Sequence, residues 1–144
     1  MIWIEPVYDR TASDVSKSRI SQSSLTELKG SYNATDLNRV NTDMRYIADE
    51  LHKCGYAVKL HAASKAWFET DVPTPEEFEA YLNDCEMIRS KIAVYSDTPA
   101  TPTATKFDYL KANDIEKILF DVEELIRKIQ AIYFYCNDIY SGEV

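Results

Sequence analysis

Apolar residues recur every three or four positions in three long stretches of the chain. The first stretch predicts a helix over about residues 35–54, with an apolar stripe formed by Leu37, Val40, Met44, Ile47 and Leu51. This period matches the helical repeat, so the five side chains share one face. Gly55 follows at a position where a left-handed residue commonly ends a helix.

The second and third stretches have the same period. The second predicts a helix over 75–95, which Thr74-Pro75-Glu76-Glu77 opens with an N-cap, an N1 proline and a capping-box glutamate. The third predicts a helix over 113–136, beginning near Asn113 with Glu116 as the capping partner. The stripe of the second helix consists of Phe78, Tyr81, Cys85, Ile88 and Ile92. The stripe of the third helix consists of Ile115, Ile118, Val122, Leu125, Ile129, Ile132 and Cys136, and Leu119 and Ile126 widen it.

Three stripes of one period predict an all-α fold in which three long amphipathic helices pack as a bundle. The 144 residues fit a single domain, and the connections favour an up-down-up order. Residues 1–10 are predicted to form an extended N-terminal arm, since Pro6 disfavours a helix there. Thr11 with Asp14 can cap one short helix after the arm.

The connecting segments give weaker signals. Ser24 with Glu27 forms another capping-box pattern. Trp67 and Phe68 are expected to close one end of the core. The proline-containing run at 97–105 is expected to be a surface loop.

Charge and composition exclude several classes of partner. The chain has three glycines and a formal net charge of -8. An acidic surface repels nucleic acid and anionic lipid, and no apolar stretch approaches the roughly 18 residues of a membrane span. The N-terminus lacks the pattern of a signal peptide. These features predict a protein that is made and kept in the cytoplasm, or exported only as part of an assembly, and that binds neither nucleic acid nor membrane.

The candidate chemistry is sparse. His52, Cys54 and His61 are the only cluster of metal-ligand types, and their spacing matches no standard zinc pattern. Cys85 and Cys136 fall on apolar stripes, where a thiol is inert. No catalytic, cofactor-binding or metal-binding residue is therefore predicted, and no cofactor is expected.

Aromatic residues at the two ends of the chain are the best candidates for a partner surface. The C-terminal run Tyr133-Phe134-Tyr135, with Ile139 and Tyr140 after it, has more aromatics than one helix face can bury. An exposed aromatic patch is therefore predicted from Trp3, Tyr8, Tyr135 and Tyr140, since tyrosine and tryptophan are enriched at interfaces. The alternative is that the arm packs on the C-terminal tail within one chain.

Several stretches taken together resemble a group of prophage-encoded proteins of anaerobic Gram-positive bacteria. They are PVYDRTASDV at 6–15, LKGSYNATDLNRV at 28–40, CGY at 54–56, W-x-x-x-DVPT at 67–74, F-x-x-YLND at 78–84, NDIEKILFDVEELI at 113–126 and YSGEV at 140–144. Similar sequences occur in tail-, baseplate- or fibre-associated virion proteins. The resemblance implies a structural role in a particle, with other virion or tail proteins or a second copy as partners, and it transfers no functional residues.

Two hypotheses follow. The first is a non-enzymatic structural or assembly component of a phage or prophage particle, made in the host cytoplasm and then virion-associated. The second is a binding module for a surface glycan or a regulatory protein, which an exposed Trp3 or Trp67 favours. An enzyme is not expected, because no nucleophile, base and orienting group can be named together.

Overall fold

The computed structural model describes residues 2–20, 34–62, 65–68, 70–71, 73–105 and 107–142, with side chains described to residue 16 on the first helix and to residue 132 on the last. The described residues form four helices and no strand: α1 Ala12–Ile20, α2 Ala34–Lys53, α3 Pro75–Lys91 and α4 Tyr109–Gly142. The predicted all-α bundle of three long helices is confirmed. The capping pattern at Ser24 and Glu27 lies outside the described residues.

The clearest helix signals in the sequence are confirmed. Thr74 and Glu77 form the complete capping box of α3, with both hydrogen bonds at 3.2 Å. Gly55 has a φ of 94°, and the N–H of the following Tyr56 donates to the carbonyl of Leu51 at 2.9 Å. This pattern ends α2 because a left-handed residue turns the chain back onto the last free carbonyls.

The short helix after the arm is confirmed as well. The hydroxyl of Thr11 accepts the N–H of Asp14 at 3.2 Å, and the Asp14 carboxylate accepts the N–H of Thr11 at 3.0 Å. These reciprocal bonds cap α1 in the predicted way.

The bounds of two helices differ from those predicted. α3 ends at Lys91 rather than at residue 95, since Ile92 is extended and the residues after it leave the helix. α4 begins at Tyr109 rather than Asn113, because the carboxylate of Asp108 accepts the N–H of Lys111 at 3.0 Å and acts as the cap. It also continues to Gly142, past the predicted end at residue 136.

α2 and α4 run parallel. Near the start of α2, Arg39 Nε donates to Glu116 of α4 at 2.7 Å. Near the end of α2, Glu50 accepts a hydrogen bond of 2.7 Å from Gln130 of α4. Residue numbers therefore rise together along the two helices.

α3 points the same way, so the expected up-down-up order is wrong. Phe78 in the first turn of α3 packs edge-on against Phe107, just before α4 begins, with ring centroids 4.9 Å apart. Beyond the other end of α3, Tyr95 donates to Glu124 of α4 at 3.0 Å. The connections at 54–74 and 92–108 make this order feasible. At roughly 3.3 Å per extended residue, each can span the roughly 30 Å of a 20-residue helix.

Three non-helical segments run back along the bundle, one in each groove between helices. The arm (residues 2–11) lies between α2 and α4, where Ile4 contacts Asp43 and Arg10 contacts Asp36. The first return segment (residues 56–62 and 65–68) runs between α2 and α3, and the second return segment (residues 92–105 and 107–108) between α3 and α4. Each segment runs opposite to the helices that flank it.

Polar side chains of the helices bind the backbone of the return segments. The Asn38 amide donates to the carbonyl of Trp67 and accepts its N–H, both at 2.8 Å. The buried carboxylate of Asp84 accepts the N–H groups of His61 and Ala62 at 2.9 and 2.7 Å. Backbone groups in a groove need such partners, because no sheet ladder satisfies them.

The apolar stripes of α2 and α3 form the core as predicted, but that of α4 is displaced. Its buried apolar residues are Ala112, Ile115, Ile118, Leu119, Val122 and Ile126. Leu125 and Ile129 are only half-buried, and Ile132 is 64% exposed. The helix therefore faces the core with the side of Leu119 and Ile126, which the sequence placed at the margin of the stripe.

Two expectations for the connections are corrected in part. Trp67 is buried as predicted, but Phe68 is 70% exposed. The 97–105 run is not a free surface loop at its start, since Thr98 is buried and donates to Asp121 at 2.6 Å. Among the described helices, none is long and apolar enough to cross a membrane.

Candidate functional site

The most unusual feature of the described structure is a set of four buried charged side chains where the arm meets the bundle. This charge cluster consists of Arg10 from the arm, Asp36 and Arg39 from α2, and Glu116 from α4. The side chains of Arg10 and Glu116 are 1% and 0% exposed. Charged groups are rarely buried so completely unless they are paired.

Arg10 is the side chain that connects the arm to both helices. Its Nη2 donates to Glu116 at 2.8 Å and to Asp36 at 3.1 Å, and its Nη1 donates to the carbonyl of Val7 at 2.7 Å. Asn113 accepts the N–H of Arg10 and donates to its carbonyl, both at 3.0 Å. The planar guanidinium group can bind several acceptors at once, because its N–H donors point in fixed directions.

Arg39 closes the cluster from the side of α2. Its Nε and Nη2 donate to the two oxygens of Glu116 at 2.7 and 2.9 Å, and Nη2 also donates to Asp36 at 2.6 Å. Burial opposes the charge of Arg39, but hydrogen bonds and charge attraction to Glu116 and Asp36 outweigh it and raise its pKa above the ordinary value. Two cations and two anions make the cluster neutral.

Carboxylates of the helices also bind the backbone of the arm. Glu116 Oε1 accepts the N–H of Val7 at 3.0 Å, and Asp43 Oδ1 accepts the N–H of Ile4 at 2.9 Å. The arm is thus held at Ile4, Val7 and Arg10 by side chains of α2 and α4. These partners lie far from the arm in the sequence, so the arm is part of the folded domain.

Asp43 is the least satisfied of these carboxylates. It is fully buried, and its Oδ2 has no hydrogen-bond partner among the described residues. Burial raises the pKa of Asp43 to about 7, the charge of Glu116 acts in the same direction, and the Ile4 N–H and the charge of Arg39 lower it. Asp43 is therefore partly protonated near neutral pH.

Metal-ligand chemistry finds no support in the part of the chain that the structure describes. His52 and His61 are exposed, and no group of three or more His, Cys, Asp or Glu side chains there could hold a metal ion. Cys85 lies in the core, where burial raises the pKa of its thiol to about 12. A thiol with so high a pKa is a poor nucleophile at neutral pH.

The predicted aromatic surface is only partly described. Trp3 packs on Tyr46 of α2 with ring centroids 5.6 Å apart, and Tyr8 packs on Phe120 of α4 at 5.2 Å. Tyr8 remains 36% exposed, with Lys117 over its ring. Tyr135 and Tyr140 belong to α4, but their side chains lie outside the description, so their pairing with Trp3 and Tyr8 stays a prediction.

Comparison with known proteins gives no relative. No protein-family model matches the chain, and no curated protein or solved structure is significantly similar to it. The role of the charge cluster is therefore inferred from its own geometry.

Sequence reasoning missed all four members of the charge cluster. Glu116 was interpreted as a capping residue, which is an ordinary role of an acid in a first turn, and Asp36 was not singled out as a site residue. One signal was available in the sequence, because Asp36 and Arg39 lie three residues apart beside the core stripe of α2. Arg10 gave no such signal, since its partners lie 26 and 106 residues away.

Proposed function

We propose that this chain is a non-enzymatic structural or assembly component of a phage or prophage particle, associated with the tail, baseplate or fibre. The observation that carries the assembly role is an exposed apolar side chain on the last turn of α4 whose side chains the structure describes, just before the run Tyr133-Phe134-Tyr135 in the sequence. Ile132 is 64% exposed on a helix that continues to Gly142. Large exposed apolar side chains in such a position favour a protein partner.

The use of the buried ionisable groups supports a structural role. Arg10, Asp36, Arg39 and Glu116 bond to one another and to the arm, and Asp84 binds the first return segment. Their bonding capacity is taken up inside the fold, as expected of a scaffold held rigid by satisfied polar groups. The resemblance to virion-associated sequences supports the particle as the context.

The proposed partners are other virion or tail proteins, including further copies of the chain. The proposed location is the host cytoplasm during synthesis and the particle afterwards. The second hypothesis, a binding module for a surface glycan or a regulatory protein, loses one of its two aromatic platforms. Trp67 is only 6% exposed, and Trp3 is half-buried against Tyr46.

The particle hypothesis is tested in cells that carry the prophage. After induction, particles are banded in a density gradient, washed in high salt and analysed by quantitative mass spectrometry. The chain is expected at a constant ratio to the tail proteins across the particle peak, while an abundant cytoplasmic protein is washed away as the control. Recovery of the chain only in the particle-free fractions would rule out the proposal.

A further inference from the structure

α4 extends well beyond the bundle that it helps to build. Its 34 residues span about 51 Å, compared with about 30 Å for the 20 residues of α2. The hydrogen bond between Gln130 and Glu50 joins the two helices close to the end of α2 at Lys53. After Gln130, α4 continues for twelve residues to Gly142, so its last part extends past the end of α2.

Two apolar stripes run along α4, and the bundle uses only one of them fully. The first ends with Ile126, which is buried in the core. The second is spaced by 4, 3, 4 and 3 residues and consists of Leu125, Ile129, Ile132, Cys136 and Ile139. Its exposure rises along the helix, because Leu125 and Ile129 are half-buried and Ile132 is 64% exposed.

The spacing of the second stripe is that of a coiled-coil seam. Alternation of 3 and 4 keeps apolar residues facing a partner helix over several turns. In heptad terms Ile129 and Cys136 occupy a positions, and Leu125, Ile132 and Ile139 occupy d positions. Branched aliphatic residues fill four of these five positions, and parallel helical assemblies use such residues at a and d.

Charge separates this part of α4 from the rest of the chain. Asp138 is the only charged residue at positions 129–142, although the chain has a net charge of -8. Two copies therefore repel each other over most of their surfaces. They can approach without repulsion along the end of α4.

We propose that the second stripe of α4, from Leu125 to Ile139, packs against the same stripe of another copy of this chain to form a homo-oligomer. The proposal rests on the assembly role given above and names its partner. A second copy is the occupant because positions 129–142 carry one charged residue, so two chains of the same net charge can meet there without the repulsion that opposes contact elsewhere. A seam of four aliphatic residues and one cysteine that faces its own copy across a symmetry axis is self-complementary.

Multi-angle light scattering of the full-length chain at several concentrations tests the proposal, with two matched variants. Ile132→Asp places a charge in the seam, and Leu110→Asp places one at an apolar residue of the same helix that is 54% exposed near its other end. The wild type and Leu110→Asp are expected to be oligomeric, and Ile132→Asp monomeric. Both sites are exposed, so unchanged helical circular dichroism shows that each variant is folded.

A monomeric wild type, or an oligomer that Ile132→Asp leaves intact, overturns the proposal. A second measurement uses a short bis-maleimide, because Cys136 stands at the middle of positions 129–142. A covalent dimer is expected from the wild type and not from Cys136→Ser. Equal cross-linking of the two proteins, through other thiols such as the half-buried Cys54, would contradict the seam.

The two proposals fail separately. If the chain is monomeric in solution but bands with purified particles, the assembly role stands and the self-associating seam is excluded. If the chain forms the Ile132-dependent oligomer but never bands with particles, the particle proposal is excluded and the self-associating seam stands.

Discussion

At the scale of single residues, the buried charges decide how the N-terminal arm is held. Arg10 contacts Asp36 and Glu116 across 26 and 106 positions of sequence, and its side chain is almost fully buried. Removing one member of a buried ionic set leaves its partners without compensation in a medium of low dielectric constant, which is costly. The arm therefore contributes to stability through polar bonds as well as through apolar contacts.

Replacement of Arg10 tests this contribution. Arg10→Met keeps a long apolar stem but leaves Asp36 and Glu116 with Arg39 as the one remaining cation of the cluster. We expect the free energy of unfolding to fall by about 3–5 kcal/mol in urea denaturation. The control is Arg45→Ala, an exposed arginine of α2, for which a change within about 0.5 kcal/mol is expected. Equal effects of the two variants would show that the cluster adds nothing to stability.

Asp43 predicts how stability depends on pH. Burial raises its pKa to about 7 in the folded chain, whereas an aspartate in an unfolded chain titrates near 3.9. The folded state thus binds the proton more tightly, so this group makes stability fall as pH rises from about 4 to about 7. Asp43→Asn keeps an oxygen for the N–H of Ile4 and removes the titration.

The variant is expected to be more stable than the wild type at pH 8, by up to about 4 kcal/mol, with the advantage shrinking towards pH 4. Urea unfolding from pH 4 to pH 8 measures this difference. Burial also raises the pKa of Glu123, which leaves a residual slope of the same sign in both proteins. A difference between the two proteins that is constant over this range would contradict the prediction.

Single residues also mark where sequence reasoning stops. Gly55 and Thr74 were predicted correctly because the partners of a helix end lie within a few residues of it. Glu116 and Arg10 were not predicted, because an isolated charged residue is normally solvated. Only a contact between distant parts of the chain changes that.

At the scale of the helices, the sequence predicted the existence and type of all three long elements but placed one face wrongly. α4 has two neighbouring apolar stripes, and a 3.6-residue helix drifts relative to a 3.5-residue repeat. Periodicity alone cannot choose between the stripe of Ile126 and that of Ile132. The choice was made by the neighbouring helices, which cover Ile126 and leave Ile132 exposed.

Alanine substitutions at these two positions test the displaced face. Ile126→Ala removes buried methyl groups and leaves a cavity, so a loss of about 2–5 kcal/mol is expected. Ile132→Ala changes the same atoms at an exposed site, and a change within about 0.5 kcal/mol is expected in the dissociated chain. Thermal or urea unfolding at low protein concentration measures both. A larger loss of stability for Ile132→Ala than for Ile126→Ala would show that the stripe predicted from the sequence is the one that faces the core.

At the scale of the whole molecule, the parallel order of the long helices is what the sequence did not reveal. Parallel helices bring their N-termini together, and such ends favour acidic residues. Asp36, Glu76 and Asp108 lie at the starts of α2, α3 and α4, respectively. An acid is favourable at the start of any helix, so no local pattern indicated that the three ends share one side of the bundle.

The grooves between parallel helices are filled by the arm and the two return segments, which couples the parts of the molecule. The first turns of α2 hold two of these segments at once. Asp36 accepts a hydrogen bond from Arg10 of the arm, and Arg39 donates to Glu116, the other carboxylate partner of Arg10. Asn38, which lies between them in sequence, forms hydrogen bonds with both backbone groups of Trp67. Loss of either segment removes hydrogen-bond partners from polar groups of α2, which costs free energy.

This coupling predicts that the arm and the first return segment unfold together with the helices. The chain has two tryptophans, one in each segment, so Trp67→Phe leaves Trp3 to report on the arm, and Trp3→Phe leaves Trp67 to report on the return segment. In each variant the urea midpoint from tryptophan fluorescence is expected to equal that from helical circular dichroism, as two-state unfolding requires. If the fluorescence of Trp3 changed at lower urea than the helical signal, the arm would detach before the bundle unfolds. In that case the charge cluster would hold only the arm, because Asp36 and Glu116 would lose Arg10 while the helices stayed folded.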